Sequence, residues 1–241
     1  MPSFPLPLRI LYLHPLALPG VEANQVQVAE TCRALADRGN EVTWMLYKLK
    51  ASPQDCLRPL GVEPHPALRI IGNRRIRLSN YGRFHSLSVR SKLLRRLRSM
   101  AEPGRTVLYF RTLRDSRLAR FLIIASRLLG IPVIYEAHKL YTLKRIDQSF
   151  HELSVARARR LEARVFGGVS GVVCRHPLLA DAIRSEHRLK GPMIIAPNAV
   201  TLAPATRETP EFDAVYVGSL FDWKGVDVCI EAACRIAGVR L

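Results

Sequence analysis

Short apolar runs alternate along the chain with longer stretches whose apolar residues recur every three or four positions. LRILYLH (8–14) is a buried-strand run, and EANQVQVAETCRALADRG after it carries apolar residues at 28, 29, 32, 35 and 36, a helical stripe. Gly39 ends that stripe as a C-terminal glycine does, because glycine enters the left-handed region at no steric cost. EVTWMLY (41–47), ALRII (67–71), TVLYF (106–110), IPVIYEAH (131–138), GVVC (171–174) and PMIIAPN (192–198) repeat the strand pattern. Helical stretches fall between them at 113–129, stopped by Gly130, at 148–166, and from Pro177, whose missing N–H is harmless in a first helical turn. Strands joined through helices run parallel with right-handed crossovers, so the pattern predicts an α/β, Rossmann-like doubly wound sheet.

The same pattern divides the chain. Residues 199–212, AVTLAPATRETPEF, mix prolines and threonines without helical period and read as a linker. DAVYVGS (213–219) then opens a new apolar run. The predicted organisation is a first domain over 1–198, a linker over 199–212, and the first strand and helix of a second domain over 213–241. A lone strand and helix has no neighbouring strand against which to bury its apolar face. Residues 213–241 are therefore expected to dock on the first domain or to order poorly.

Composition narrows the class. A hydrophobic fraction of 48% with 7% aromatics implies an aliphatic core and excludes a disordered chain. Lys and Arg number 37 against 20 Asp and Glu, a net charge of +17, which draws anionic partners or reflects a solvated basic surface. Residues 69–100 hold ten Lys/Arg and no acid, and within them LSVRSKLLRRLRSM (87–100) sets Leu93, Leu94, Leu97 and Met100 on one helical face. That helix either lies on an anionic membrane surface or is a crossover helix with its stripe on the sheet. The region lacks the interleaved aromatics of single-strand binders and no DNA-reading motif is present, so nucleic acid is not expected as a partner. Five cysteines form no C-x-x-C pair and are odd in number, which argues against a disulfide framework or a zinc site. Cys32, Cys174 and Cys229 sit in apolar segments and read as small buried residues. A reducing, cytoplasmic compartment follows. The N-terminal residues have no basic flank and Arg9 interrupts their apolar run, so a first strand is predicted there and not a leader.

Ligands of open α/β sheets sit beyond the carboxyl ends of the strands, and three polar segments meet that condition. In HPLALPGVEANQ (14–25), Gly20 lets the backbone approach a ligand. In YEAHKLY (135–141), Glu136 and His138 point to one side if the strand continues. His138 there either bonds a sugar hydroxyl or phosphate oxygen, or is structural. In VGSLFDWKGVD (217–227), Gly218 ends a strand and Lys224 precedes a helix with apolar positions at 226, 230, 233 and 237. It is placed to pair with a diphosphate, unless it is a surface lysine.

Taken in order, PGVEANQVQVAETCRALADRGNEVTWML, YEAH, LEARVFGGVSGVVC, PNAV and VGSLFDWKGVDVCIEA resemble the glycosyltransferases of family 4, of the GT-B type. The resemblance implies two Rossmann-like domains facing a cleft, with the acceptor on the N-terminal side and the nucleotide-sugar on the C-terminal side. It also implies retaining, hexosyl-type transfer in which the nucleotide-sugar is a substrate and neither cofactor nor metal is used. Gly20 matches the turn that approaches the donor diphosphate, with Pro19 where the family often has a second glycine. His138 matches the cleft histidine at the donor sugar, the catalytic candidate. Lys224 matches the basic residue on the diphosphate, and Gly218 the glycine of the first C-terminal strand, although Ser219 follows it where the family often has Arg. The paired glutamates of the family's E-G-F-G…E motif have no match, since Glu231 is the only acid after Asp227. The resemblance thus implies an incomplete donor domain, weak activity of this chain alone, and a second chain to complete the site. The alternative is a non-catalytic module that binds an acceptor or a membrane.

Overall fold

The computed structural model describes residues 7–14, 17–20, 22–46, 48–72, 87–111, 113, 116–142, 155–199, 211–218, 220, 224–236 and 238. The chain divides into two compact units, 1–200 and 201–241. In unit 1 the strands are β1 (Arg9–Leu13), β2 (Ala17–Leu18), β3 (Glu41–Leu46), β4 (Lys48–Leu49), β5 (Leu68–Gly72), β6 (Thr106–Phe110), β7 (Val133–Ala137), β8 (Gly171–Cys174) and β9 (Met193–Ile195). The helices are α1 (Ala23–Asp37), α2 (Pro53–Leu57), α3 (Leu87–Met100), α4 (Ser116–Leu129), α5 (Val155–Phe166) and α6 (Pro177–Glu186). Seven strands form one parallel sheet in the order β5-β3-β1-β6-β7-β8-β9, with β2 and β4 as a separate short ladder. β1 is an interior strand, Arg9–Leu13 pairing residue by residue with Glu41–Met45 on one side and Thr106–Phe110 on the other.

Alternate residues of β1 serve opposite faces, as a period of two requires. Ile10 and Tyr12 join Val28, Cys32 and Trp44 under α1, while Leu11 and Leu13 join Leu108, Phe110, Leu122 and Phe166 under α4 and α5. Both faces are covered, which is why the strands read as apolar runs and not as alternating ones. Gly39 at φ 84° and Gly130 at φ 63° close α1 and α4 in the left-handed region, where the sequence put their C-terminal glycines. The expected helix over 148–166 is present from Val155, and 148–154 lie outside the described residues.

In α3, Leu93 and Leu97 are buried, and Leu94 and Met100 pack against the same core. Two of the four stripe residues are thus fully used by the core and two in part, and Lys92, Arg95 and Arg98 face outward. Among the described residues no helix is long and apolar enough to cross a membrane.

Unit 2 departs from the pattern. Residues 213–218 carry no strand, and Val215 and Val217 are 70% and 89% exposed. An isolated apolar run has no neighbouring ladder for its N–H and C=O groups, so the sequence period alone does not make a strand. Helix α7 (Val226–Cys234) forms but buries none of its residues. Cys229 is accordingly exposed, against the expectation that it is buried, whereas Cys32 and Cys174 are buried as expected and Cys56 joins them. Phe212, Val215, Tyr216, Val226, Cys229 and Ile230 line an open apolar groove of about 330 Å³. Residues 200–210, most of the expected linker, lie outside the described residues.

Candidate functional site

The chain passes from β1 to β3 on one side and from β5 to β6 on the other, so β1 and β6 flank the switch point of the sheet, where the carboxyl ends open a crevice. The first residues past these strands are polar: His14 after β1, Arg111 after β6, and Arg175 after β8. β7 contributes Glu136, and His138 follows it by one residue.

Glu136 organises the edge. It is 6% exposed, and its two oxygens are both engaged. Tyr12 donates its hydroxyl to Oε2 at 2.5 Å, and His138 Nε2 lies 2.5 Å from Oε1. The other ring nitrogen, Nδ1, faces Arg111 Nη2 at 3.2 Å. A guanidinium only donates. Nδ1 therefore accepts, and the His138 proton sits on Nε2, directed at Glu136. Arg111 Nη2 also donates to Gln27 Oε1 at 2.5 Å, and Gln27 Nε2 donates to Asn198 Oδ1. Arg175 Nη2 donates to the His138 carbonyl at 3.2 Å. One histidine is thus held from the ends of β6, β7 and β8.

The electrostatics follow from this wiring. Burial alone would raise the Glu136 carboxyl, but hydrogen bonds from His138 and Tyr12 and the charges of His138 and Arg111 outweigh it and hold the group below its ordinary value. Burial lowers His138, its bond to Glu136 opposes that, and the charges of Arg111 and Arg175 add to the lowering. His138 is a neutral imidazole at neutral pH. His14 is pushed down to about 3, by burial first and then by Arg111. Its ring nitrogens make no hydrogen bond among the described residues, nor do Arg111 Nη1 and Arg175 Nε.

A second buried glutamate supports the loop that carries His138. Glu162 of α5 has no exposed surface, accepts from the Tyr141 backbone N–H, and accepts from Thr142 Oγ1 at 2.9 Å. His187 Nε2 lies 3.3 Å from its Oε2 but makes no hydrogen bond there, and its ring stacks on Phe166 with centroids 4.9 Å apart.

Gly20 lies on the loop after β1, at the same edge as His138. A Cβ there would fall 2.4 Å from Gln25 Oε1, because the Gln25 amide folds under the loop. Gln25 Oε1 accepts from Glu22 N at 3.0 Å and its Nε2 donates to the Ala17 carbonyl at 3.2 Å. Packing within the chain is thus sufficient reason for this glycine. Gly218 and Lys224 belong to unit 2, where both are exposed; Lys224 precedes Gly225, whose φ of 66° caps α7. Ser219 lies outside the described residues. Tyr12, His14, Gln27, Arg111 and Arg175 escaped the sequence reading as site residues. His14, Arg111 and Arg175 carried a usable signal, each being the first polar residue after an apolar strand run. Among the described residues no group of three His, Cys, Asp or Glu is arranged to hold a metal ion.

Solved structures share this fold. Sucrose-phosphate synthase from Thermosynechococcus elongatus superposes with a TM-score of 0.58 at 14% identity, over 79% of this chain and 48% of that one. TcCGT1 in complex with UDP gives 0.53 at 11% identity, over 84% and 54%. Phytolacca americana apo UGT2 gives 0.50 at 12% identity, over 80% and 53%. The chain spans about half the length of these structures, which are GT-B glycosyltransferases with Rossmann-like folds. No curated protein matches the sequence. The family model described as Glycosyltransferase Family 4 matches residues 25–203, from the first helix through the last strand of unit 1. With well over half of the chain matched, the protein belongs to Glycosyltransferase Family 4.

Proposed function

We propose that the carboxyl edge of unit 1 binds the substrates of sugar transfer, and that the chain supplies the acceptor-side lobe of a retaining glycosyltransferase using a nucleotide-sugar. The wiring of His138 between Glu136 and Arg111 at the switch point is the observation that supports this most. Burial and the charges of Arg111 and Arg175 keep the ring neutral and Glu136 holds its proton on Nε2, so Nδ1 is an acceptor for a sugar hydroxyl that displaces Arg111. His138 then positions the donor sugar and does not shuttle a proton. Arg111 and Arg175 add positive charge fixed before reaction, which favours negative charge developing on a leaving phosphate. By the family resemblance Gly218 and Lys224 are the candidates for the donor diphosphate. No metal or cofactor enters. UDP is bound in the TcCGT1 structure, which supports a nucleotide-sugar as donor here. The free thiols fit a cytoplasmic site of action.

The sequence has no counterpart of the paired family glutamates that engage the donor sugar. This chain alone is therefore expected to transfer slowly, and a second lobe or chain carrying that pair to raise the rate. The test is calorimetric titration of the chain with UDP-, GDP- and ADP-sugars, followed by assay of nucleotide release. Binding of one donor, weakened about tenfold in His138→Ala, is the expected result. Unaltered binding in that variant would refute the role of His138. Binding of a sugar acceptor with no donor affinity would favour the non-catalytic module. For a membrane-binding module the buried stripe of α3 leaves only its basic face.

A further inference from the structure

We infer that Arg111 and Arg175 form a site for a phosphoryl group of the transfer substrate, and that filling it releases His138 Nδ1 for a sugar hydroxyl. The inference rests on reading this edge as the substrate cleft, and it names the substrate class.

Several arginines of this chain pair with carboxylates. Arg9 and Arg105 share Glu41 and Glu102, Arg33 pairs with Asp37, Arg159 with Glu186, and Arg184 with Asp181. Arg111 and Arg175 form no carboxylate pair among the described residues. Their hydrogen bonds go to neutral acceptors: Gln27 Oε1, His138 Nδ1 and the His138 carbonyl. Glu136 acts on Arg111 electrostatically, but both of its oxygens are already taken by Tyr12 and His138. Two guanidinium groups thus flank a single residue, His138, one on its ring and one on its backbone.

Unsatisfied polar atoms mark the same place. Arg111 Nη1 and Arg175 Nε are buried and without a partner among the described residues, as are both nitrogens of His14, which is nine-tenths buried and coupled electrostatically to Arg111 and His138. Buried donors left unpaired cost free energy, more so on a charged group. Neighbouring helix ends do not account for the charge. The first turn of α1 is closed by the reciprocal Glu22–Gln25 cap, and His176 Nδ1 accepts from Leu179 N at the start of α6. The two arginines remain, and a tetrahedral oxyanion offers the several acceptors that two forks need.

The consequence for His138 is steric and electrical. Its Nδ1 is occupied by Arg111 Nη2, so the ring has no free nitrogen. A phosphoryl group that recruits Arg111 withdraws that donor and neutralises its charge. Nδ1 then accepts from the sugar while Glu136 keeps hold of Nε2. A substrate without the anion leaves the histidine closed.

The full chain, with labelled histidines, is titrated with inorganic phosphate, and in separate arms with a hexose 6-phosphate and with UDP. Calorimetry reads affinity and NMR reads the histidine rings. Phosphate is expected to bind with a Kd on the order of a millimolar. The His138 titration should move to higher pH as the Arg111 charge is compensated. Arg111→Gln and Arg175→Gln should each weaken phosphate about tenfold to a hundredfold. Tighter binding of the hexose 6-phosphate than of UDP assigns the site to an acceptor phosphate, the reverse assigns it to the donor, and either upholds it. Phosphate binding that survives Arg175→Gln unchanged, or a His138 ring that ignores phosphate in the unaltered chain, overturns it. The second readout needs no variant to fold. Phosphate binding without donor binding leaves this site standing and removes the transferase reading; donor binding without phosphate binding does the opposite.

Discussion

Two buried glutamates in this chain each have a histidine beside them, and they serve different ends. Glu136 lies at the mouth of the sheet, with His138 on one oxygen, Tyr12 on the other and two arginines nearby that form no carboxylate pair among the described residues. Glu162 lies under the helix layer, with its oxygens on a backbone N–H and a threonine hydroxyl, and His187 alongside. Around Glu162 both oxygens accept from donors within the protein, and one ring nitrogen, His187 Nε2, is left without a partner among the described residues. Around Glu136 the atoms left over include charged donors of two arginines, Arg111 Nη1 and Arg175 Nε. A buried acid with a closed hydrogen-bond set staples structure, whereas one amid surplus donors is arranged for something that arrives later.

Glu162→Ala should give the largest effect. It strips the loop after β7 of its anchor and leaves the Tyr141 N–H without a partner, a loss of about 3 kcal/mol, or roughly 6–12 °C in Tm for a domain of this size. Thermal unfolding monitored by circular dichroism measures it. A change under 1 °C would mean that the loop holds His138 without Glu162.

Acid separates the two regions next. The native pKa of His14 is about 3 against an ordinary 6.5, so the folded state excludes a proton that the unfolded chain takes up below pH 6.5. Stability is full above 6.5 and falls as pH drops through that range. At pH 5 the deficit from His14 is about 2 kcal/mol at 1.36 kcal/mol per unit. His138 and Glu136, both lowered, act in the same direction. His14→Gln should flatten the fall between pH 6.5 and 5 in denaturant melts. An equal slope in that variant would place the acid sensitivity elsewhere.

The two glutamates also differ in how far the sequence disclosed them. Glu136 and His138 end an apolar strand run, and a strand's period of two sets them on one side. TVLYF became β6 over its full length because Arg105 and Arg111 bound a five-residue apolar run. The partnership of Arg111 with His138, 27 residues apart, was not legible, because it depends on β6 lying next to β7. Glu162 was hidden among the arginines of VARARRLEARVF, where it resembles a solvated charge. Its phase with Ala158, Val165 and Phe166 does place it on the buried face, but hydrophobic periodicity passes over an acid. At 213–218 the run was present and the strand was not, because a strand is made by its neighbours as much as by its residues.

Tyr12→Phe tests the open pair at lower cost. It removes the 2.5 Å bond to Glu136 Oε2 and keeps the ring stacked on Tyr109, whose centroid lies 4.8 Å away. A hydrogen bond to a charged group of this kind contributes about 1.5–3 kcal/mol, and the lower end is expected because the edge is not sealed. The Glu136 carboxyl should titrate at higher pH in the variant, since one bond that favours its ionised form is gone. Carbon-detected NMR of the Glu136 side chain checks this, and an unmoved titration would show that His138 and Arg111 hold the charge without Tyr12.

The smallest effect belongs to a pair that only looks comparable. Arg159 and Glu186 touch one residue away from His187, yet the arginine side chain is 62% exposed and water screens the contact. Exposed pairs of this sort contribute little, because holding two long side chains together costs entropy that the screened attraction barely offsets. Arg159→Ala should leave Tm unchanged within error at moderate salt, although it sits on the same helix as Glu162. A drop approaching that of Glu162→Ala would mean that charge pairing as such stabilises the α5–α6 layer. The contrast between the two buried glutamates would then rest on pairing and not on burial.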